Sequence, residues 1–226
     1  MAITVTGTRG HARSVDAGRL FAVPLLALFG LLNVLGLWRH VTEPEHSGLL
    51  QAAAVARSLL LVAFYALVVG FYFVRSAATA TTASRGARAA ALLATVLPLL
   101  IAVVVDPVEH AAVLWLANAL MLAGLAWSLW ALWHLGRNIS FVAQARGLVC
   151  RGPYGMVRHP LYLGELVTIT GLVLGGFAVA GLLVLAAVVA LQLYRAAREE
   201  DVLAAAFPEY ATYRHRTPAR VVPGLY

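Results

Sequence analysis

From Leu166 to Tyr194 the chain runs 29 residues without a charged side chain. A single helix of that length would extend about 43 Å at about 1.5 Å per residue, well beyond a hydrocarbon core of about 30 Å. The segment must tilt strongly or fold back. Gly175-Gly176 and Gly181 lie near its middle, and such glycines permit both a turn and close helix packing. Four more uncharged runs precede it: Leu20 to Trp38, Ser58 to Val74, Ala89 to Val105 and Ala111 to Trp133. Each is near the length of one helical crossing. With 62% hydrophobic and 12% charged residues among 226, the chain is too apolar to be solvated as an ordinary soluble domain.

The loop charges decide between tilting and folding back. Arg75, Arg85 and Arg88 mark the loop after the second run as cytoplasmic, Asp106 and Glu109 mark the next as external, and Arg137, Arg146, Arg151 and Arg158 mark the fourth as cytoplasmic. The tail after Tyr194 carries Arg195, Arg198, Arg214, Arg216 and Arg220, which makes it cytoplasmic too. An even number of passes must therefore separate it from Arg158. A helical hairpin over 166–194 satisfies that count. The predicted fold is an all-α polytopic membrane helical bundle of about six membrane segments including a C-terminal helical hairpin, with both termini inside. Residues 1–135 form an N-terminal four-helix membrane region, and 136–226 a C-terminal region of loop, hairpin and tail.

Local signals refine this picture. Pro24 and Pro98 predict kinks in the first and third helices, and Arg57 can extend the second by carrying its guanidinium to the interface. Arg9, Arg13 and Arg19 ahead of an apolar run imitate a signal peptide, but no small-residue cleavage pattern precedes Trp38-Arg39-His40, so this run reads as a retained helix. All 17 basic residues are Arg, and they lie mainly between apolar runs, where cations meet anionic headgroups. No basic face with interleaved aromatics is present, which argues against nucleic acid. The single Cys150 excludes an intrachain disulfide. The seven histidines show no i, i+4 pair or HExxH pattern, so no metal site is predicted.

Two clusters carry the chemistry. Gly152-Pro153 is a turn signal, and Pro160 suits a helix start because its missing N–H would be an orphan there. His159 is thereby placed just before a helix, where Arg158 and His159 form either an interfacial pair or part of a site. On the far side of the long apolar run, Arg195 and Glu199 are four apart and share one helical face. They can pair with each other or converge on a ligand, whereas Arg198, Glu200 and Asp201 read partly as a solvated face. Glu165 lies one turn into the hairpin, where a carboxylate is expensive unless paired or wet; it lines a substrate pocket or reaches the interface. His134, with Trp127, Trp130 and Trp133, reads as an interfacial belt or as pocket lining. Asn138 and Ser140 suit capping or turn roles as well as an approach to a cofactor.

The order of these elements resembles the C-terminal signature of the isoprenylcysteine carboxyl methyltransferase and phospholipid methyltransferase superfamily of integral membrane enzymes. The resemblance rests on Gly147-Leu148-Val149, Gly152-Pro153-Tyr154, Arg158-His159-Pro160, Tyr162, Gly164, Glu199-Glu200, Leu203, Phe207, Tyr210 and Tyr213. It covers the chain from about Leu135 onward. Pro208 stands where such sequences commonly have Gly after the Phe. The resemblance implies S-adenosylmethionine as cofactor, enclosed by Arg146, Gly147, Leu148, Val149, Tyr154, Arg158, His159, Pro160, Leu161 and Glu199. It implies that Arg195 and Glu199 are catalytic, and that Arg195, Glu165 and Tyr162 face the methyl acceptor. The implied partners are the lipid bilayer and a lipophilic or small acceptor bearing a carboxylate, thiol or amine. Two other classes remain open: a membrane reductase of sterol-reductase type, and a non-enzymatic transporter or assembly protein.

Overall fold

A computed structural model describes residues 3–5, 17–45, 47–74, 80–82, 86, 89–90, 93–94, 97, 108, 110–136, 144–145, 147–176 and 178–224. Its helices are α1 (Ala17–Thr42), α2 (Gly48–Val74), α3 (Ala111–Leu135), α4 (Pro160–Leu174), α5 (Val179–Ala206) and α6 (Tyr210–Arg216). The first expected run appears as α1, which continues through Pro24. The second starts ten residues earlier than expected, so Arg57 lies inside α2 rather than at its edge. Of the third run, residues 89, 90, 93, 94 and 97 are helical; the rest, including Pro98, lies outside the described residues. By length and composition, Val23–Thr42, Ala111–Leu135 and Val179–Ala206 can each cross a membrane, and Gly48–Ala63 and Pro160–Leu174 are shorter apolar helices.

The long uncharged run folds back. α4 ends at Leu174, Gly175 and Gly176 form the turn, and α5 returns from Val179. Gly181 is buried within α5 and takes no part in the turn. The Gly175 carbonyl accepts from the Val108 N–H at 3.0 Å, which ties the segment before α3 to this turn. Arg57 reaches the same end, its Nη1 3.5 Å from where a Cβ on Gly175 would lie.

Small residues set the packing of α3 on α4. A Cβ on Gly164 would lie 2.7 Å from the Gly124 carbonyl oxygen and 2.9 Å from the Ser128 amide. One on Gly171 would lie 2.6 Å from the Ala117 carbonyl. These approaches bring backbone against backbone, the mode by which helices associate where lipid removes the hydrophobic drive. Two polar links add to it: the Trp127 indole donates to the Pro160 carbonyl at 2.9 Å, and Asn118 donates to the Ala53 carbonyl of α2 at 2.8 Å. The Trp127 bond ties the aromatic stripe of α3 to the start of α4. Leu26, Leu132 and the flanking Val23, Leu129 and Leu161 form the apolar contact of α1 with this pair.

A small sheet supplements the helices. Ile3–Val5, Ala80–Thr82 and Gln144–Ala145 form antiparallel strands β1, β2 and β3, with Ile3 opposite Thr82 and Ala80 opposite Ala145. The sheet joins the N-terminal segment, the segment after α2 and the segment after α3, and it packs against α5.

Candidate active site

The turn between α3 and α4 is built by two backbone requirements. Gly152 has φ +61°, and a Cβ there would enter the His134 ring. His134 is held in turn by the Trp130 carbonyl at 2.9 Å and by edge contact with the Trp130 ring. Its position is thus that of a packing partner for the turn. Gly152–Gly155 then forms one 3-10 turn with Pro153 and Tyr154 buried. His159 caps α4 and Pro160 opens it, as the sequence predicts.

The two sequence clusters meet across the hairpin. His159 stacks on Tyr162, ring centroids 5.4 Å apart and 5° between planes. The Tyr162 hydroxyl donates to Glu199, and His159 Nδ1 lies 3.6 Å from the other Glu199 oxygen. The Arg195 guanidinium carbon sits over the same Tyr162 ring, 4.7 Å from its centroid, a cation–π placement. Arg195 Nη1 donates to Gln192 Oε1 at 2.9 Å, and Gln192 donates from its amide nitrogen to Glu165. Arg195, Gln192 and Glu165 therefore form a polar chain on the inner face of the hairpin. Gln192 is only 1% exposed, and its amide partners the half-buried Glu165 carboxylate.

Glu200 departs from its reading as part of a solvated face. It is 5% exposed and accepts from Arg158 Nε at 2.9 Å, Arg220 Nε at 3.0 Å and Arg220 Nη2 at 3.1 Å, with His159 Nε2 at 3.2 Å. Arg158 also donates from Nη1 to the carbonyls of Thr217 at 2.8 Å and Pro218 at 2.6 Å. Such charge-assisted bonds are the strong ones in proteins. Asp201 keeps the solvated role, half-exposed and paired with Arg198 at 3.2 Å.

Burial opposes a charged His159, but the neighbouring Glu199 and Glu200 carboxylates outweigh it and hold the imidazole pKa above its ordinary value. The ring thus sits between two carboxylates. Burial pushes the Tyr154, Tyr210 and Tyr213 phenols up, so all three are neutral. Tyr213 uses its proton on the Tyr154 carbonyl at 2.7 Å, which fastens α6 to the 3-10 turn. Pro208 is accommodated in the turn between α5 and α6, where the Tyr210 amide donates to the Phe207 carbonyl at 3.0 Å.

Of the residues singled out from sequence, the structure brings together Tyr154, Arg158, His159, Pro160, Tyr162, Glu165, Arg195 and Glu199. Leu161 instead packs into the apolar contact with Leu132. Gly147, Leu148 and Val149 are half-buried and lie just ahead of the turn in the chain, in no helix or strand. Arg146, Asn138 and Ser140 lie outside the described residues. Sequence reasoning missed Gln192, Arg220 and the carbonyls of 217–220. A polar residue inside a membrane run is a functional signal, and Gln192 is one; Arg220 carries no sequence signal beyond its charge in the tail.

Residues 112–210 match the family model for phospholipid methyltransferase. Over 73 residues the chain is 48% identical to the cobalt-zinc-cadmium resistance protein CzcN of Cupriavidus metallidurans, covering 32% of this chain and 34% of that one. Over 114 residues it is 36% identical to the nickel-cobalt-cadmium resistance protein NccN of Alcaligenes xylosoxydans xylosoxydans, covering 46% and 51%. The chain thus spans between a third and half of the length of these curated relatives. Among solved structures it is similar to the eukaryotic intramembrane Ras methyltransferase ICMT (isoprenylcysteine carboxyl methyltransferase), with TM-score 0.49 and 18% identity over 92% of this chain and 75% of that one. The family match begins earlier than the signature read from sequence, taking in nearly all of α3, and ends at Tyr210, ahead of the tail that Arg158 and Glu200 hold. The matched residues 112–210 carry α3, the hairpin and both carboxylates of the Glu199-Glu200 pair, so the likeness to the phospholipid methyltransferase family lies in the segment that builds the site.

Proposed function

We propose that this protein is an integral membrane methyltransferase that transfers the methyl group of S-adenosylmethionine to a lipophilic or small acceptor bearing a carboxylate, thiol or amine. The observation that carries this reading is the convergence of His159, Tyr162, Arg195 and Glu199 at one end of the hairpin, inside the family-matched segment. The donor set suits such a cofactor. Glu199 offers a carboxylate to an amino group or a ribose hydroxyl. Gly147, Leu148 and Val149 are half-buried, and their amide and carbonyl groups suit an adenine edge.

When bound, the cofactor supplies an electrophilic methyl that needs no metal to react. The chain supplies position, a dry enclosure and charge. Arg195, fixed on the Tyr162 face and by Gln192, orients the acceptor. Glu165 and Tyr162 line the path along which that acceptor enters from the bilayer. A carboxylate acceptor needs no general base; an amine or thiol loses its proton to a carboxylate, and Glu199 is the one placed for it. Tyr154, Pro160 and the segment 147–149 form the cofactor wall, and Leu161 supports it from the apolar side. In this reading 1–135 is scaffold, 136–226 is the catalytic region, and the reaction involves neither nucleic acid nor a metal.

Both chain ends face the cytoplasm in this arrangement. The sheet that joins the N-terminal segment to those after α2 and α3 supports it. Cysteine-accessibility labelling should place loop 137–160 and tail 195–226 on one side; opposite sides would contradict it. The functional reading is tested by calorimetry on purified protein in detergent. S-adenosylmethionine or its demethylated product should bind and a nicotinamide dinucleotide should not. The reverse preference moves the protein to the reductase class, and binding of neither favours a transporter or assembly role.

A further inference from the structure

We propose that Glu200 is a positioning residue that locks the C-terminal tail Thr217–Arg220 against the His159 turn, and thereby holds His159 and Glu199 in place for the cofactor. The identity of that cofactor rests on the functional reading above. The lock itself does not.

Three segments close on one carboxylate. The turn before α4 contributes Arg158 and His159, α5 contributes Glu200, and the tail contributes Arg220. The tail is also stitched to the turn by backbone. The Arg158 amide donates to the Ala219 carbonyl at 3.0 Å and the His159 amide to the Arg220 carbonyl at 2.9 Å. Arg158 Nη1 takes the carbonyls of Thr217 and Pro218, so all four tail carbonyls from 217 to 220 are spent on the Arg158-His159 pair. The Arg220 guanidinium then returns to both oxygens of Glu200.

The two neighbouring carboxylates are consequently unlike. Oε1 of Glu200 faces Arg158, His159 and Arg220 together, its side chain is 6% exposed, and no capacity remains on that oxygen for a ligand. Glu199 has a side chain 23% exposed and meets Tyr162 and His159 of the turn and α4. Glu200 acts on it through His159: Nε2 on Glu200 fixes the ring, the ring presents Nδ1 to Glu199, and its face aligns Tyr162, which donates to the same carboxylate. Removing one partner of a buried charged cluster leaves the others uncompensated, so neutralising Glu200 should free the tail and disorder the His159 ring together.

The test uses the full chain with Cys150→Ser, since Cys150 is exposed, and a nitroxide on Val222→Cys, an exposed position just beyond the lock. Glu200→Gln should mobilise the label and weaken S-adenosylmethionine binding by about tenfold or more. Arg220→Gln should do the same in a variant whose change lies on the tail, which covers the case of Glu200→Gln failing to fold. The double variant should bind no more weakly than Glu200→Gln alone, because coupled partners are not additive. Glu199→Gln should weaken binding with the label still immobile. A label as immobile in Glu200→Gln and Arg220→Gln as in the parent overturns the lock, and a mobile label with parental affinity overturns the positioning role. A parent that does not bind S-adenosylmethionine defeats the functional reading instead, and the label mobility still decides the lock.

Discussion

Gly164→Leu should prevent the α3–α4 pair from closing. A Cβ on Gly164 meets the Gly124 carbonyl oxygen at 2.7 Å and the Ser128 amide at 2.9 Å, and neither is the end of a flexible side chain. Overpacking a well-packed site costs about 1–3 kcal/mol when side chains can yield; here two helix backbones must separate, and the Trp127 bond to the Pro160 carbonyl separates with them. The loss should exceed about 3 kcal/mol. Gly36→Ala is the control, because nothing lies within 4 Å of a Cβ there. Thermal unfolding in detergent should show Gly36→Ala near the parent and Gly164→Leu unfolded or much less stable. A Gly164→Leu protein as stable as the parent would mean that the close approach of α3 and α4 is wrong.

Glu199→Gln should weaken S-adenosylmethionine binding by about 1.5–3 kcal/mol, the value of a hydrogen bond to a charged group. Asp201→Asn, two residues on, should change little, since Asp201 is half-exposed and pairs only with Arg198 at the surface. Arg195→Ala should separate the two halves of the reaction. Its guanidinium lies on the Tyr162 face and on Gln192, so its loss should chiefly impair acceptor use and leave cofactor affinity nearly intact. Calorimetry for affinity and initial rates for turnover distinguish these outcomes. Three folded variants with parental affinity and turnover would show that this end of α5 is a solvated face.

The hairpin was legible because a length argument and a charge argument agreed: 29 uncharged residues overrun one bilayer, and the cations at both ends demand a return. His159-Pro160 was legible because proline at a helix start is a local steric preference. The division of labour between Glu199 and Glu200 was not. Two adjacent carboxylates on a charged helix end look alike in sequence, and the helix rotation that turns one toward a tail residue twenty positions on is a tertiary outcome. Gln192 escaped for a different reason. Counting charges alone passes over an uncharged amide, although its burial beside Glu165 is what lets that carboxylate sit inside the hairpin. Strands of two and three residues such as β3 and β1 give no alternation to read. The early start of α2 was hidden because Gln51 and Arg57 break the apolar run without breaking the helix.

Incubating membranes that contain the protein with S-adenosylmethionine labelled in its methyl group tests the central claim most directly. The account predicts label in a lipid-extractable or small acceptor, in amounts that follow the protein and collapse with Glu199→Gln while Asp201→Asn retains them. Equal labelling in membranes with and without the folded protein, whatever the acceptor class extracted, would contradict it.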